Sequence, residues 1–307
     1  MIHVRSLEDI SLRESWLTIG VFDGVHRGHQ EIIRRLTSGA YALGAPAAVV
    51  TFWPHPATVL GDGKVRCLST ADERATLLST LGVDAVVTLR FDAATANTSA
   101  NDFVARLHQR LEFRHLLIGY DFALGKDRQG NAGRLAEIGQ VLRYEVEIVP
   151  ALGDESGVVS STEIRKLVAT GDVAAAAALL GHAYSLHGPI VTGDQRGRDL
   201  GYPTANIDYP AAKILPSNGI YACWAWLEGR RHLSAVNVGV RPQFHPNAST
   251  PLVEAHILDL DRQLYGADLR LEFVQRLRDE MRFPSVPDLI EQIQRDVQQT
   301  RRLLTSA

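Results

Sequence analysis

Short apolar runs at 17–22, 47–52, 85–89, 116–119 and 145–149, several rich in Val and Ile, alternate with stretches of helical apolar spacing near 28–43, 71–81, 101–111 and 132–142. Runs this short and this apolar read as strands buried on both faces, and their alternation with helices predicts a parallel sheet covered on both sides. Ligands of such sheets bind outside the carboxyl ends of the strands, so the expected functional loops follow Phe22, Phe52 and Gly119. Two more helices are predicted at 161–169 and 173–180, where Gly171 stops the first, Asp172 can cap the second and Gly181 closes it. After Gly181 the pattern changes. Gly, Pro and Asn separate short or alternating apolar runs at 183–191, 220–227, 232–238, 253–258 and 269–273, which predicts an antiparallel sheet or small barrel. Leu289, Ile290, Ile293, Val297 and Leu303 or Leu304 then predict a last helix over 286–304. The expected division is an α/β domain at 1–182 and a β domain at 183–307.

Composition changes this picture little. The chain has 307 residues, a length that favours two domains, with 45% hydrophobic and 22% charged residues. A net charge of −3 points neither to nucleic acid nor to an anionic membrane. The two cysteines, Cys67 and Cys223, have no C-x-x-C spacing, which speaks against a zinc site or a disulfide framework and fits a reducing compartment. With no signal-peptide layout at the N-terminus and no apolar run of the roughly 18 residues a membrane span requires, a cytoplasmic protein is expected.

The stretch 18–33, T-I-G-V-F-D-G-V-H-R-G-H-Q-E-I-I, carries the first chemistry. Gly24 and Gly28 punctuate a turn between a strand and a helix, so His26 and His29 fall where unpaired N–H groups and the helix dipole favour an anion. Phosphate chemistry and a tight turn with two surface histidines both fit those residues. Three clusters join it at predicted strand or helix ends. T-F-W-P-H-P at 51–56 holds His55 between two prolines in a stiff turn. The loop 118–130 offers Asp121 and Arg128. V-S-S-T-E-I-R at 159–165 places Ser160, Ser161 or Thr162 at a helix cap, with Arg165 one turn in.

In the second half, G-D-Q-R-G-R-D-L-G-Y-P-T-A-N-I occupies 193–207. Taken alone, 193–201 reads as a flexible hairpin. Its glycines can also lie close to phosphates, although it lacks the G-K-[ST] of a Walker A loop. Thr204 and Asn206 are two apart in an extended segment, so their oxygens share a face and suit a hard cation.

Taken together, these motifs resemble the bifunctional bacterial riboflavin kinase/FAD synthetase family over nearly the whole length. The family's first domain looks like G-x-F-D-G-x-H-x-G-H, T-F-x-P-H-P, G-x-D-F-x-F-G-x-x-R-x-G and S-S-T-x-I-R, matched here at 20–29, 51–56, 119–130 and 160–165. Its kinase half looks like G-R-x-L-G-x-P-T-A-N, followed here by N-V-G-V-R-P (237–242), V-E-A-H-I-L-D (253–259), L-Y-G (264–266) and R-L-R-D-E-M-R-F (276–283). The resemblance implies a Rossmann-like nucleotidyltransferase domain followed by a small antiparallel β-barrel riboflavin kinase domain with a C-terminal helix. It implies riboflavin, FMN, FAD and ATP as substrates and products, with Mg²⁺ as cofactor. Self-association is compatible with it, though no residue stands for it.

For adenylyl transfer, the resemblance implies that His26 and His29 meet the ATP phosphates. Arg165, Ser161 and Thr162 would hold the departing pyrophosphate. Gly20, Asp23, Gly28, His55, Asp121 and Arg128 would complete the binding surface. For the kinase it implies Glu254 as general base, with Gly193, Gly197, Gly201, Thr204 and Asn206 around Mg-ATP and the last two as metal ligands. Arg278 and Glu280 are weaker candidates. Three positions depart from the family pattern: Leu124 where an aromatic is common, His182 where arginine is common and Gln243 where threonine is common.

Overall fold

The computed structural model describes residues 1–61, 63, 65–154, 157–193, 197, 200–239 and 251–305. The chain divides into two compact units, Met1–Ser161 and Thr162–Ala307.

The first unit is an α/β layer structure. Its strands are β1 (Ile2–Val4), β2 (Trp16–Ile19), β3 (Ala47–Trp53), β4 (Ala85–Arg90), β5 (His115–Gly119) and β6 (Glu145–Val149). They form one parallel sheet in the order β1-β4-β3-β2-β5-β6. The main helices are α1 (Arg27–Ala42), α3 (Ala71–Thr80), α5 (Ala100–Leu111) and α6 (Ala132–Leu142), with short helices α2 (Pro56–Leu60) and α4 (Ala93–Ala96). Successive strand residues point to opposite faces, and two cores result. Leu17, Ile19, Ala48, Val50, Val87 and Leu116 pack with α5 and α6, whereas Val49, Val86 and Leu117 pack with α1 and α3. This explains the uniformly apolar runs in the sequence. The strand order reverses beside β2, which has β3 on one side and β5 on the other. Loops after β2 and β5 therefore open onto the switch point, where such sheets bind ligands.

Two boundaries differ from expectation for physical reasons. β2 ends at Ile19 rather than 22, because Phe22, Gly24 and Val25 adopt left-handed φ of 50°, 76° and 42° and the chain turns there. β1, too short to show a pattern, is held as an edge strand by pairing with β4. A two-stranded pair, β7 (Gly153–Asp154) and β8 (Gly157–Val158), precedes α7 (Ser161–Thr170).

The second unit begins with the rest of α7 and with α8 (Val173–Leu180), which packs on strands of the barrel. For that reason the units part at 161/162, ahead of the 182/183 division expected from the change in pattern. The barrel comprises β9 (Tyr184–Val191), β10 (Ala205–Ile207), β11 (Gly219–Leu227), β12 (Arg230–Gly239), β13 (Leu252–Ile257) and β14 (Asp268–Arg278). It closes in the order β10-β13-β12-β11-β14-β9. Leu186, Tyr221, Cys223, Val236, Ala255, Leu271 and Phe273 fill it, each 0% exposed. β14 runs five residues past the predicted 273, because register shifts against β11 at Ile220/Tyr221 and Ala222/Cys223 let polar residues continue the pairing. Helix α9 (Val286–Thr305) lies over β11 and β12.

Candidate active sites

The turn after β2 brings His26 and His29 together. His26 caps α1, its Nδ1 accepting from the His29 N–H at 3.4 Å. The two rings stack with centroids 3.5 Å apart, and the Phe22 ring meets His29 edge-on. Burial, then the positive surroundings from His26 and Arg74, hold the His29 pKa well below its ordinary value. A neutral imidazole is thereby favoured, and its Nδ1 is sealed and has no hydrogen-bond partner among the described residues. Gly28 lies against the His26 ring, where an added Cβ would sit 3.2 Å from Cε1. At Gly20 an added Cβ would lie 2.9 Å from the Phe22 ring. Both glycines keep the turn tight.

Beneath the turn lies a polar network. The Asp23 carboxylate is buried and accepts from the backbone N–H groups of Leu68 and Ser69, each with a contact at 3.0 Å. Arg74 is 0% exposed and donates to Thr51 Oγ1 at 2.9 Å and the Phe52 carbonyl at 3.1 Å, with Asp23 at 3.8 Å. Desolvation pulls its pKa down, and the Asp23 charge opposes that pull. Thr51 Oγ1 donates in turn to the Val21 carbonyl at 3.0 Å. Ser161 Oγ donates to the Asp23 carbonyl at 2.9 Å. The Asp23 side chain thus faces inward beneath the turn.

The other expected residues of this half sit as follows. His55 is half-buried and caps α2, its Nδ1 accepting from the Ala57 N–H at 3.1 Å. Asp121 and Arg128 are exposed on the loop after β5, joined by Arg128 Nη2 donating to the Asp121 carbonyl at 3.0 Å. Leu124, which replaces an aromatic, is 8% exposed in the core beside Gly130, so its side chain belongs to packing. Thr162 and Arg165 lie in the first turns of α7 and count with the second unit.

The barrel carries a second constellation. β10 pairs Asn206 with Glu254 of β13, and Glu254 pairs with Asn237 of β12. Residues directly opposite share a face, so Asn206, Glu254 and Asn237 form a polar row outside the barrel. Asn237 continues the row to Ile220, and Ile220 to Arg278. Glu254, Asn237 and Thr204 border a cavity of about 320 Å³ that Met281, Phe283, Leu289 and Ile293 also line, together with the charged Arg278, Glu280 and Asp296. An added Cβ at Gly193 would overlap the Asn206 carboxamide, and one at Gly197 would lie 3.4 Å from Thr204 Oγ1. Gly193 and Gly197 therefore lie close against the two expected metal ligands, while Gly201 adopts φ 82° in the turn before them. Arg278 makes a bidentate bond to the buried Asp296 of α9, with Nε–Oδ1 at 3.0 Å and Nη2–Oδ2 at 2.7 Å. Glu280 takes a bond from Asn218 Nδ2 at 3.1 Å; burial raises its pKa. His182 is half-buried against the Ala183 carbonyl, and Gln243 lies outside the described residues.

Sequence reading missed Arg74, Asn237 and Asp296. A signal existed for Arg74, which interrupts the apolar face formed by Ala71, Ala75 and Leu78 of α3, a charge placed where burial is required. Among the described residues no group of three His, Cys, Asp or Glu could hold a metal ion, and no helix is long and apolar enough to cross a membrane.

Comparison with known proteins agrees with both halves. The FAD synthetase family matches residues 9–163 and the riboflavin kinase family residues 180–304. A bifunctional riboflavin kinase/FMN adenylyltransferase from Listeria monocytogenes is 34% identical, over 93% of this chain and 91% of its own. One from Pseudomonas fluorescens is 36% identical, over 93% and 92%. A crystal structure described as a macrolide-efflux protein from Streptococcus pneumoniae matches with TM-score 0.87 and 30% identity over 98% of both chains.

Proposed function

Since the chain belongs to the family of bifunctional riboflavin kinase/FMN adenylyltransferases, we propose how its residues divide that work. The enzyme phosphorylates riboflavin to FMN with ATP, then adenylylates FMN to FAD with a second ATP. The observation that carries the residue-level reading is the Asn206–Glu254 pairing beside a cavity lined by both polar and apolar side chains.

In the kinase half, the apolar side chains suit an aromatic ring system, and the polar row suits the hydroxylated chain it bears. Glu254 takes the proton of the terminal ribityl hydroxyl as its oxygen attacks the γ-phosphorus of ATP and the bond to ADP breaks. Thr204 and Asn206 fit Mg²⁺: both offer neutral oxygens, and Gly193 and Gly197 bring backbone close to them where a side chain would clash. When bound, Mg²⁺ would neutralise charge on the ATP phosphates. Gly201 lets the segment turn into P-T-A-N.

In the adenylyltransferase half, an FMN phosphate oxygen attacks the α-phosphorus of ATP and pyrophosphate leaves. The nucleophile is already an anion, so the task is alignment and charge stabilisation. His26, His29 and the first N–H groups of α1 provide donors for the phosphates. Gly20 and Gly28 let the phosphates approach, and Asp23 sets the turn from below. Asp121, Arg128 and His55, on the loops after β5 and β3, keep the binding role that their motifs imply. Arg165, Ser161 and Thr162 keep the pyrophosphate role that their motif implies. Two free buried cysteines fit a cytoplasmic setting.

The test is incubation with riboflavin and Mg-ATP, with flavins separated by chromatography over time. FMN followed by FAD is expected, and neither product would refute the reading. Glu254→Gln should stop FMN formation while supplied FMN still becomes FAD; His29→Ala should do the reverse.

A further inference from the structure

Asn237 has no assigned part in either reaction. It lies opposite Glu254 in the β12–β13 register and borders the same cavity. Its Oδ1 is sealed from solvent and has no hydrogen-bond partner among the described residues. An unpaired buried carbonyl is a standing cost, and such groups are rare unless another molecule completes them. On its own strand the same-face neighbours are Ala235 and Gly239, both small, and across the strand pair stands Ile220. Asn237 is therefore a neutral acceptor between the base and an apolar wall. Opposite residues on paired strands stand about 4.5–5.5 Å apart at Cβ, so two acceptors there can bracket adjacent hydroxyls of a polyol.

We propose that Asn237 Oδ1 accepts a hydrogen bond from the ribityl 4′-hydroxyl, next to the 5′-hydroxyl that Glu254 deprotonates, and so selects flavins with an intact chain. The proposal rests on the kinase reading of Glu254. A carboxamide here reads a hydroxyl without adding the negative charge that would repel the nearby phosphates of ATP.

The experiment compares riboflavin with 4′-deoxyriboflavin as kinase substrates for the full-length wild type, Asn237→Ala and Asn237→Leu. The wild type should favour riboflavin in kcat/KM by about five- to tenfold, the worth of one neutral hydrogen bond. Both variants should lose that preference, treating the two flavins alike, with KM for ATP and conversion of supplied FMN to FAD unchanged. Asn237→Leu, similar in volume, should unfold no earlier than wild type without flavin, because the unpaired oxygen is gone. A wild type indifferent to the missing hydroxyl, variants that keep the preference, or a Leu variant that unfolds earlier would each overturn the proposal alone. A wild type that makes no FMN would overturn the kinase reading as well.

Discussion

Replacing Arg74 by methionine tests the network that shapes the first site. The guanidinium is 0% exposed, with donor contacts at 2.9 and 3.1 Å to Thr51 and Phe52, 3.4 Å to the Ser69 carbonyl and 3.8 Å to Asp23. Methionine keeps much of the volume and none of the donors. The Asp23 carboxylate then loses the Arg74 guanidinium, while the N–H groups of Leu68 and Ser69 still serve it. Breaking one partner out of a buried pair costs about 3–5 kcal/mol, and the retained backbone bonds place this case at about 3. Because the chain has two units, one melting temperature does not describe it. The assay is a urea titration read twice, by FMN-to-FAD conversion and by riboflavin-to-FMN conversion. Loss of the first activity should move to lower urea by about 3 kcal/mol divided by the m-value, about 1–3 M for an m of 1–3 kcal/mol/M. The second should not move. A shift worth under about 1 kcal/mol, or an equal shift in both activities, would refute the claim that this buried arginine carries the turn.

Other outcomes follow from the same geometry. Glu254→Gln should lower riboflavin phosphorylation by about 10²–10⁴-fold, the usual worth of a general base, with FMN adenylylation intact in the same preparation. Gly193→Ala should lower kinase activity by about tenfold or more, because the new methyl must displace the Asn206 carboxamide at a typical overpacking cost of about 1–3 kcal/mol. For His29 the folded pKa is depressed, so the unfolded chain binds the proton more readily. Its contribution is present above the ordinary value of about 6.5 and is lost as pH falls below it. First-unit stability should therefore decline from pH 7 toward 5, and His29→Gln should flatten that slope; an unchanged slope would count against the buried neutral imidazole. Asp296→Ala should free Arg278 and loosen α9, raising KM for riboflavin and speeding amide exchange in β14 and α9.

Local pattern was enough to read most of this molecule. Apolar runs of strand length placed β3, β4 and β5 within a residue or so, because strands buried on both faces leave no other composition; the exposed edge strand β6 was placed by its Val and Ile positions. Motif spacing located the His26–His29 turn and the P-T-A-N segment, since a strand-to-helix turn and an alternating strand are encoded by neighbours a few residues apart. What lay beyond reach was every property made by distant residues meeting. Arg74 stands out on the apolar face of α3, but its partners Thr51 and Asp23 are known only once they are folded against it. Asn237 becomes informative only when β13 sets Glu254 beside it. Leu124 and the Asp23 side chain belong to the interior because tertiary contacts turned them there. Helix α8 joins the barrel by packing that no break in pattern marks. Chain-local chemistry specified the strands, the turns and the candidate groups. Burial, charge pairing and strand register, which depend on long-range contacts, determined which of those groups border a cavity and which are buried in polar networks.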